Sequence, residues 1–191
     1  MPLQISFELS DKDLEHFKSM AHAAHDAVCD ARLDQQAIAE AARKVFEAAD
    51  SNAELPEFIS TRLARLEILV NMVGDKEWQL PEEEMNRVCS AMAYFANPDD
   101  LIPDRIPAIG FLDDAIMVEL MVENLLDEIE AYEEFCQFRT AEIERRTNQG
   151  LSTDVSKEDW LADKRAVLHH RMRTRHKQRM SAPSSRILKL W

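Results

Sequence analysis

Apolar residues recur at alternating steps of three and four along most of the chain, the spacing of one face of an α-helix. Leu14, Phe17, Ala21, Ala24, Val28 and Ala31 form the first such stripe. Ser10, three residues before Asp13, supplies a capping-box start for it. Upstream, Ile5, Phe7 and Leu9 alternate with polar neighbours and predict a short extended arm. A second stripe, Ile38, Ala41, Ala42, Val45 and Phe46, runs to about Ala49. Asp34 can cap it as a separate helix, or one bent helix can cover both stripes. Pro56 suits the first turn of a third helix with the stripe Ile59, Leu63, Leu66, Val70 and Val73, and Gly74 sits where a C′ glycine belongs. A fourth helix opens at Pro81 with Glu82, Glu83 and Glu84 facing the helix dipole. Its apolar side is Met85, Val88, Cys89, Met92 and Phe95, and Asn97-Pro98 ends it.

From about Leu112 to Arg146 the pattern predicts one long helix, on the order of 50 Å from end to end. Near its start it is apolar almost all round (Ile116, Met117, Val118, Leu120, Met121, Val122), so that half is expected to be buried on several sides. Later the stripe narrows to Leu125, Ile129, Tyr132 and Cys136, and Asn148, Gln149 and Gly150 stop it. A polar linker, Leu151 to Val155, precedes a last, basic helix capped by Ser156 with Asp159 and ending near Pro183. The sum is an all-α protein of five to seven helices around a Pro-rich helix-turn-helix hairpin. Residues 1–150 form an acidic helical body and 151–191 a linker, basic helix and C-terminal tail, with one folded unit favoured over two.

The segment Asn97–Ala115, NPDDLIPDRIPAIGFLDDA, stands apart from this helical pattern. It holds three of the seven prolines, one of the three glycines and five aspartates. Each Pro fixes φ and removes a donor, and the residue before it is pushed towards extended backbone. The stretch resembles the YkvA-like family, a bacterial domain of unknown function with the pattern P-x-D-L-I-P-D-x-I-P-x-x-G-x-x-D-D. The matching residues are Pro98, Asp100, Leu101, Ile102, Pro103, Asp104, Ile106, Pro107, Gly110, Asp113 and Asp114. The resemblance covers about Met85 to Asp127. It implies no known activity, and relatives that are more apolar around the motif imply membrane association. Here charged helices surround the motif, which weakens that implication.

Charge changes the picture more than overall composition does. The net charge of −13 is an average over two unlike parts. All 36 acidic residues precede Lys164 and meet only 14 of the 23 basic ones, so the body carries −22 against +9 for residues 164–191. Such a tail suits an anionic lipid or nucleic acid, or it can fold back onto the body or onto a second copy. Arg171, Arg173, Arg175, Lys177 and Arg179 are its candidate anion-binding residues. Glu119, Glu123, Asp127, Glu130 and Glu134 read first as a solvated acidic strip, and otherwise as a docking surface for a basic partner. The terminal Ile187, Leu188, Leu190 and Trp191 can anchor the tail in a groove or form an exposed peptide read by a partner.

The motif aspartates allow two readings. Asp113 or Asp114 can serve the free N–H groups at the start of the long helix, and Asp100 and Asp104 can cap turns. Alternatively, Asp100, Asp104, Asp113 and Asp114 are hard oxygen ligands for a divalent cation, with hydrolytic chemistry as the furthest extension. Capping is the favoured reading, and no cofactor is expected. His22 and His25, three apart with Asp26 adjacent, can share a helix face and hold a metal, but a solvated or capping pair is the favoured reading. The three scattered cysteines form no C-x-x-C pair and read as buried free thiols in a reducing cytoplasm. No signal-peptide or spanning segment is expected, which gives a cytoplasmic location with the inner-membrane face as the alternative. The leading expectation is a non-enzymatic helical interaction or regulatory protein. A peripheral membrane or nucleic-acid-associated protein using the tail comes second, and a metal-dependent hydrolase third.

Overall fold

The computed structural model describes residues 8–30, 34–51, 55–96, 102, 110–152 and 159–181. Among these there are seven α-helices, one short 3-10 turn and no strand, so the protein is all-α. The helices are α1 (Asp11–Asp30), α2 (Gln35–Asp50), α3 (Glu57–Gly74), α4 (Glu82–Met92), α5 (Leu112–Asn124), α6 (Leu126–Asn148) and α7 (Asp159–Ser181), and the 3-10 turn, Ala93–Ala96, extends α4. The extended arm at Ile5 and Phe7, the Ser156 cap and the segment from Pro183 to Trp191 lie outside the described residues.

Local chemistry sets most boundaries. The Ser10–Asp13 capping box forms: the Ser10 N–H donates to Asp13 Oδ2 at 2.8 Å and the Asp13 N–H to Ser10 Oγ at 3.4 Å. Asp34 accepts from the Ala37 N–H at 2.8 Å, so the first two stripes are separate helices rather than one bent one. Pro56 sits just before the first residue of α3.

Gly74 does not act as the expected C′ glycine. It is the last helical residue of α3, and Asp75 ends the helix with an Asx turn, Oδ1 accepting from the N–H groups of Glu77 (2.9 Å) and Trp78 (3.1 Å). The glycine that does take left-handed backbone is Gly150, at φ +66° behind α6. There the Leu151 N–H reaches the Arg146 carbonyl at 3.0 Å and the Gly150 N–H reaches Thr147 at 3.1 Å, a Schellman ending.

The single long helix expected from Leu112 to Arg146 is two. The chain breaks at Leu125 (φ −106°, ψ 17°) between α5 and α6. Leu125 is itself buried, and Asn124 turns its side-chain amide back onto the Leu120 carbonyl at 2.7 Å. On either side of the break the packing partner changes, α5 lying mainly against α3 and α6 mainly against α7. α5 is wrapped as its all-round apolar surface demands: Ala115, Met117, Val118 and Met121 have no exposed surface. No helix among the described residues is long and apolar enough to cross a membrane.

The core is continuous, with Leu63, Leu66, Leu69 and Met72 of α3, Val88 and Met92 of α4, α5, and Ile129 and Phe135 of α6 joining Leu168 and Met172 of α7. Its largest side chain comes from the connection between α3 and α4. Trp78 is fully buried, with ring centroids 5.0 Å from Phe135, 5.8 Å from Tyr132 and 4.3 Å from His169. One connection therefore seats α6 and α7 together. Trp78→Ala is expected to lower stability by about 3–5 kcal/mol. Chemical denaturation followed by circular dichroism measures the change, and a loss below about 1 kcal/mol would contradict this placement.

Candidate functional site

Two clusters of buried charge organise the molecule, one at the Pro-rich motif and one beneath α7. At the motif, Asp113 and Asp114 occupy the first turn of α5 and are 2% and 4% exposed. Phe111 holds the N-cap position, and its own side chain makes no capping hydrogen bond. Asp113 Oδ2 accepts from the Tyr94 hydroxyl and from the Ile102 N–H, both at 3.1 Å. It thereby ties the 3-10 turn at the end of α4 to the Pro-rich segment, and its charge still meets the positive end of the α5 dipole. Gly110 and Phe111 are buried at the same turn.

Pro98, Asp100, Leu101, Pro103, Asp104, Ile106 and Pro107 lie outside the described residues. Among the described residues no group of three His, Cys, Asp or Glu side chains is arranged to hold a metal ion. Of the other sites considered, Asp26 lies 3.5 Å from His25 Nδ1 on α1, and His22 is exposed. The thiols differ from one another: Cys89 is buried, which pushes its pKa up to about 11, Cys136 is half-buried and Cys29 is exposed.

The second cluster lies where α4, α6 and α7 meet. The basic residues of α7 turn inwards onto carboxylates. Lys164 (2.8 Å) and Arg171 both pair with Glu134, and Arg175 pairs with Glu130 at 2.9 Å. Arg173 grips Glu84 with two hydrogen bonds, at 2.6 and 3.0 Å, and Arg179 meets Asp127 at 2.5 Å. From α4, Arg87 donates to Glu128 Oε1 at 2.7 Å and lies 3.8 Å from Glu84. Lys177 is exposed.

The supposedly solvated strip is therefore partly interior: Asp127 is 4% exposed, and Glu130 and Glu134 face α7. Glu84, expected only to complement the α4 dipole, is 1% exposed and Glu128 is 0% exposed. Burial alone pushes the Glu84 carboxyl up, but the Arg173 hydrogen bonds and the charges of Arg173 and Arg87 outweigh it and hold Glu84 below the usual carboxylate range. Hydrogen bonds from Lys164 and Arg171 lower Glu134 as well.

The upper half of α7 meets the α3–α4 connection. Arg165 donates to the Glu77 carbonyl at 2.8 Å, and His169 packs edge-on to Trp78. Arg139 of α6 bridges Asp75 (2.9 Å) and Glu77 (2.6 Å), and the Tyr132 hydroxyl donates to Asp75 Oδ2 at 3.1 Å. Burial, aided by the positive charges of Arg165 and Arg173, pushes His169 down to about 4.

Sequence reasoning missed Glu84, Arg87, Glu128, Asp75 and Trp78 as organising residues. Only Trp78 carried a signal, as the one aromatic residue in a largely polar connection between Gly74 and Pro81. The charged residues sat in runs that resemble any solvated face.

Residues 87–120 match the model of a family described as "Protein of unknown function (DUF1232)". The matched stretch runs from Arg87 in α4 through the Pro-rich segment to Leu120 in α5, in agreement with the YkvA-like resemblance. No curated protein and no solved structure matches the chain.

Two outcomes follow from these environments. Tyr94→Phe removes one donor from the buried Asp113 and is expected to lower stability by about 1.5–3 kcal/mol in denaturant melts. His169 takes up no proton in the folded state until about pH 4, against 6.5 in an unperturbed imidazole. Between those values the unfolded chain binds the extra proton, so stability falls as pH drops through that window. In His169→Gln, the difference between unfolding midpoints at about pH 7 and about pH 5 is expected to shrink; an unchanged difference would assign the effect elsewhere.

Proposed function

We propose that this protein is a non-enzymatic helical interaction module whose acidic α4–α6 face is a receptor for a basic helix, and whose own α7 is the resident ligand. The observation that carries the reading is the inward pairing of Lys164, Arg171, Arg173, Arg175 and Arg179 with Glu84, Asp127, Glu130 and Glu134. Opposite charges on one chain are matched pair by pair, and three of the carboxylates beneath α7 (Glu84, Asp127, Glu128) are removed from water. Buried carboxylates left without partners cost several kcal/mol, so whatever occupies this face must be cationic. Most of the charged groups at this junction are paired with one another, which supports a recognition surface over a reaction centre. Asp113 at the start of α5 accepts from Tyr94 behind α4 and from Ile102, a tie that supports the receptor face by joining the ends of α4 and α5.

The competing reading makes the tail a binder of anionic lipid or nucleic acid. It is favoured by the partial exposure of Arg173 and Arg175, 46% and 47% at the side chain. A single-stranded DNA probe separates the two. The intact chain is expected to bind it about tenfold or more weakly than a synthetic peptide of residues 159–181 at the same salt, because counterion release needs free cations. Glu130→Gln with Glu134→Gln frees Lys164, Arg171 and Arg175 and is expected to raise the affinity of the intact chain. Equal affinity of chain and peptide would overturn the receptor reading.

A further inference from the structure

We infer that Glu84, Asp127 and Glu128 form an arginine-reading groove that takes a basic helix from a second polypeptide in place of the C-terminal half of α7, an inference that rests on the receptor reading above. The two halves of α7 are held differently. Up to Met172 the helix buries Leu161, Leu168 and Met172 and lays His169 on Trp78. From Arg173 to Ser181 no apolar side chain is buried, and Met180 is 42% exposed. That half is held by Arg173 on Glu84, Arg175 on Glu130, and Arg179 on Asp127 and on the Glu123 carbonyl at 3.2 Å. The first half is an apolar anchor that salt leaves in place, and the second is a charged latch that salt and a rival helix can lift.

The groove also accepts more than the latch supplies. Asp127 Oδ2 and Glu128 Oε2 are buried without a hydrogen-bond partner, in side chains 4% and 0% exposed. His176 lies over Glu128, but its Nδ1 is 3.9 Å from Oε1, beyond hydrogen-bond reach, and it too lacks a partner. Arg173, His176 and Arg179 follow one another at steps of three, which places them along one side of the helix. A Lys or Arg at the middle step brings donors that the imidazole does not. The fitting partner is thus a helix carrying R-x-x-[K/R]-x-x-R, seated against three carboxylates that retain only Arg87 of the body once the latch lifts.

The test uses the full chain with Arg173→Ala and Arg179→Ala, and with Arg173→Ala alone should the double variant fail to melt cooperatively. The probes are a fluorescent peptide of residues 168–181 and the same peptide with His176→Lys. The latch variant is expected to bind the Lys peptide about tenfold tighter than the unmodified chain does, and tighter than it binds the His peptide, with affinity falling as salt rises. Glu128→Gln added to the latch variant is expected to erase the preference for Lys. No peptide binding by a variant whose 173–181 amides exchange freely would overturn the groove while leaving the docking of α7 intact. Amides that stay protected in the variant would overturn the receptor reading, and the groove with it.

Discussion

The structure depends on buried carboxylates that cations from other elements neutralise. Glu84 and Glu128 come from different helices and have almost no contact with water, so each needs a cation delivered by another element. Arg87 serves Glu128 from α4 and lies close to Glu84, and α7 brings Arg173 and Arg179 for Glu84 and Asp127. Burying such charges gains little stability over an apolar core, but it makes the position of α7 specific. A displaced or shifted α7 leaves negative charge in a poorly solvated site, and few alternative packings repair that. The same logic recurs at a smaller scale around Asp75, where Tyr132 and Arg139 of α6 converge on the connection that carries Trp78.

The apolar core and the charge network divide the work. Trp78, Phe135, Leu168 and the α3–α5 interface supply non-directional burial, which decides that the helices collapse together. The charge pairs decide where along α6 the basic helix stops. Their weight is uneven along α7, with burial dominating before Met172 and ion pairing after it. An uneven hold of this kind is what the proposed exchange of the far half of α7 requires.

Helical periodicity made the helices legible, because 3.6-residue spacing is a direct imprint of which face is buried. The Ser10–Asp13 box formed as its spacing predicted, and the Asp34 cap decided the open alternative in favour of two helices. The break at Leu125 was hidden, since its residues continue the apolar pattern and only the change of packing partner, α3 for α5 and α7 for α6, distinguishes the two sides. The Gly74 misreading has a similar origin: an Asx turn at Asp75 competed with the glycine and won. The site was least legible where charge was buried. Pattern alone gives Glu84 and Glu128 the appearance of surface, and only the arrival of arginines distant in sequence makes their burial possible. One residue of the Pro-rich motif has a concrete role, in that Asp113 serves Tyr94 and Ile102 at once.

Amide hydrogen exchange along α7, compared at low salt and at about 1 M salt, tests the central claim most directly, because the Debye length then falls to about 3 Å. Ion pairing as the hold on the far half of α7 predicts that amides of residues 174–181 exchange about tenfold or more faster at high salt, while those of residues 164–172 barely change. Uniform protection along α7 that ignores salt would contradict it.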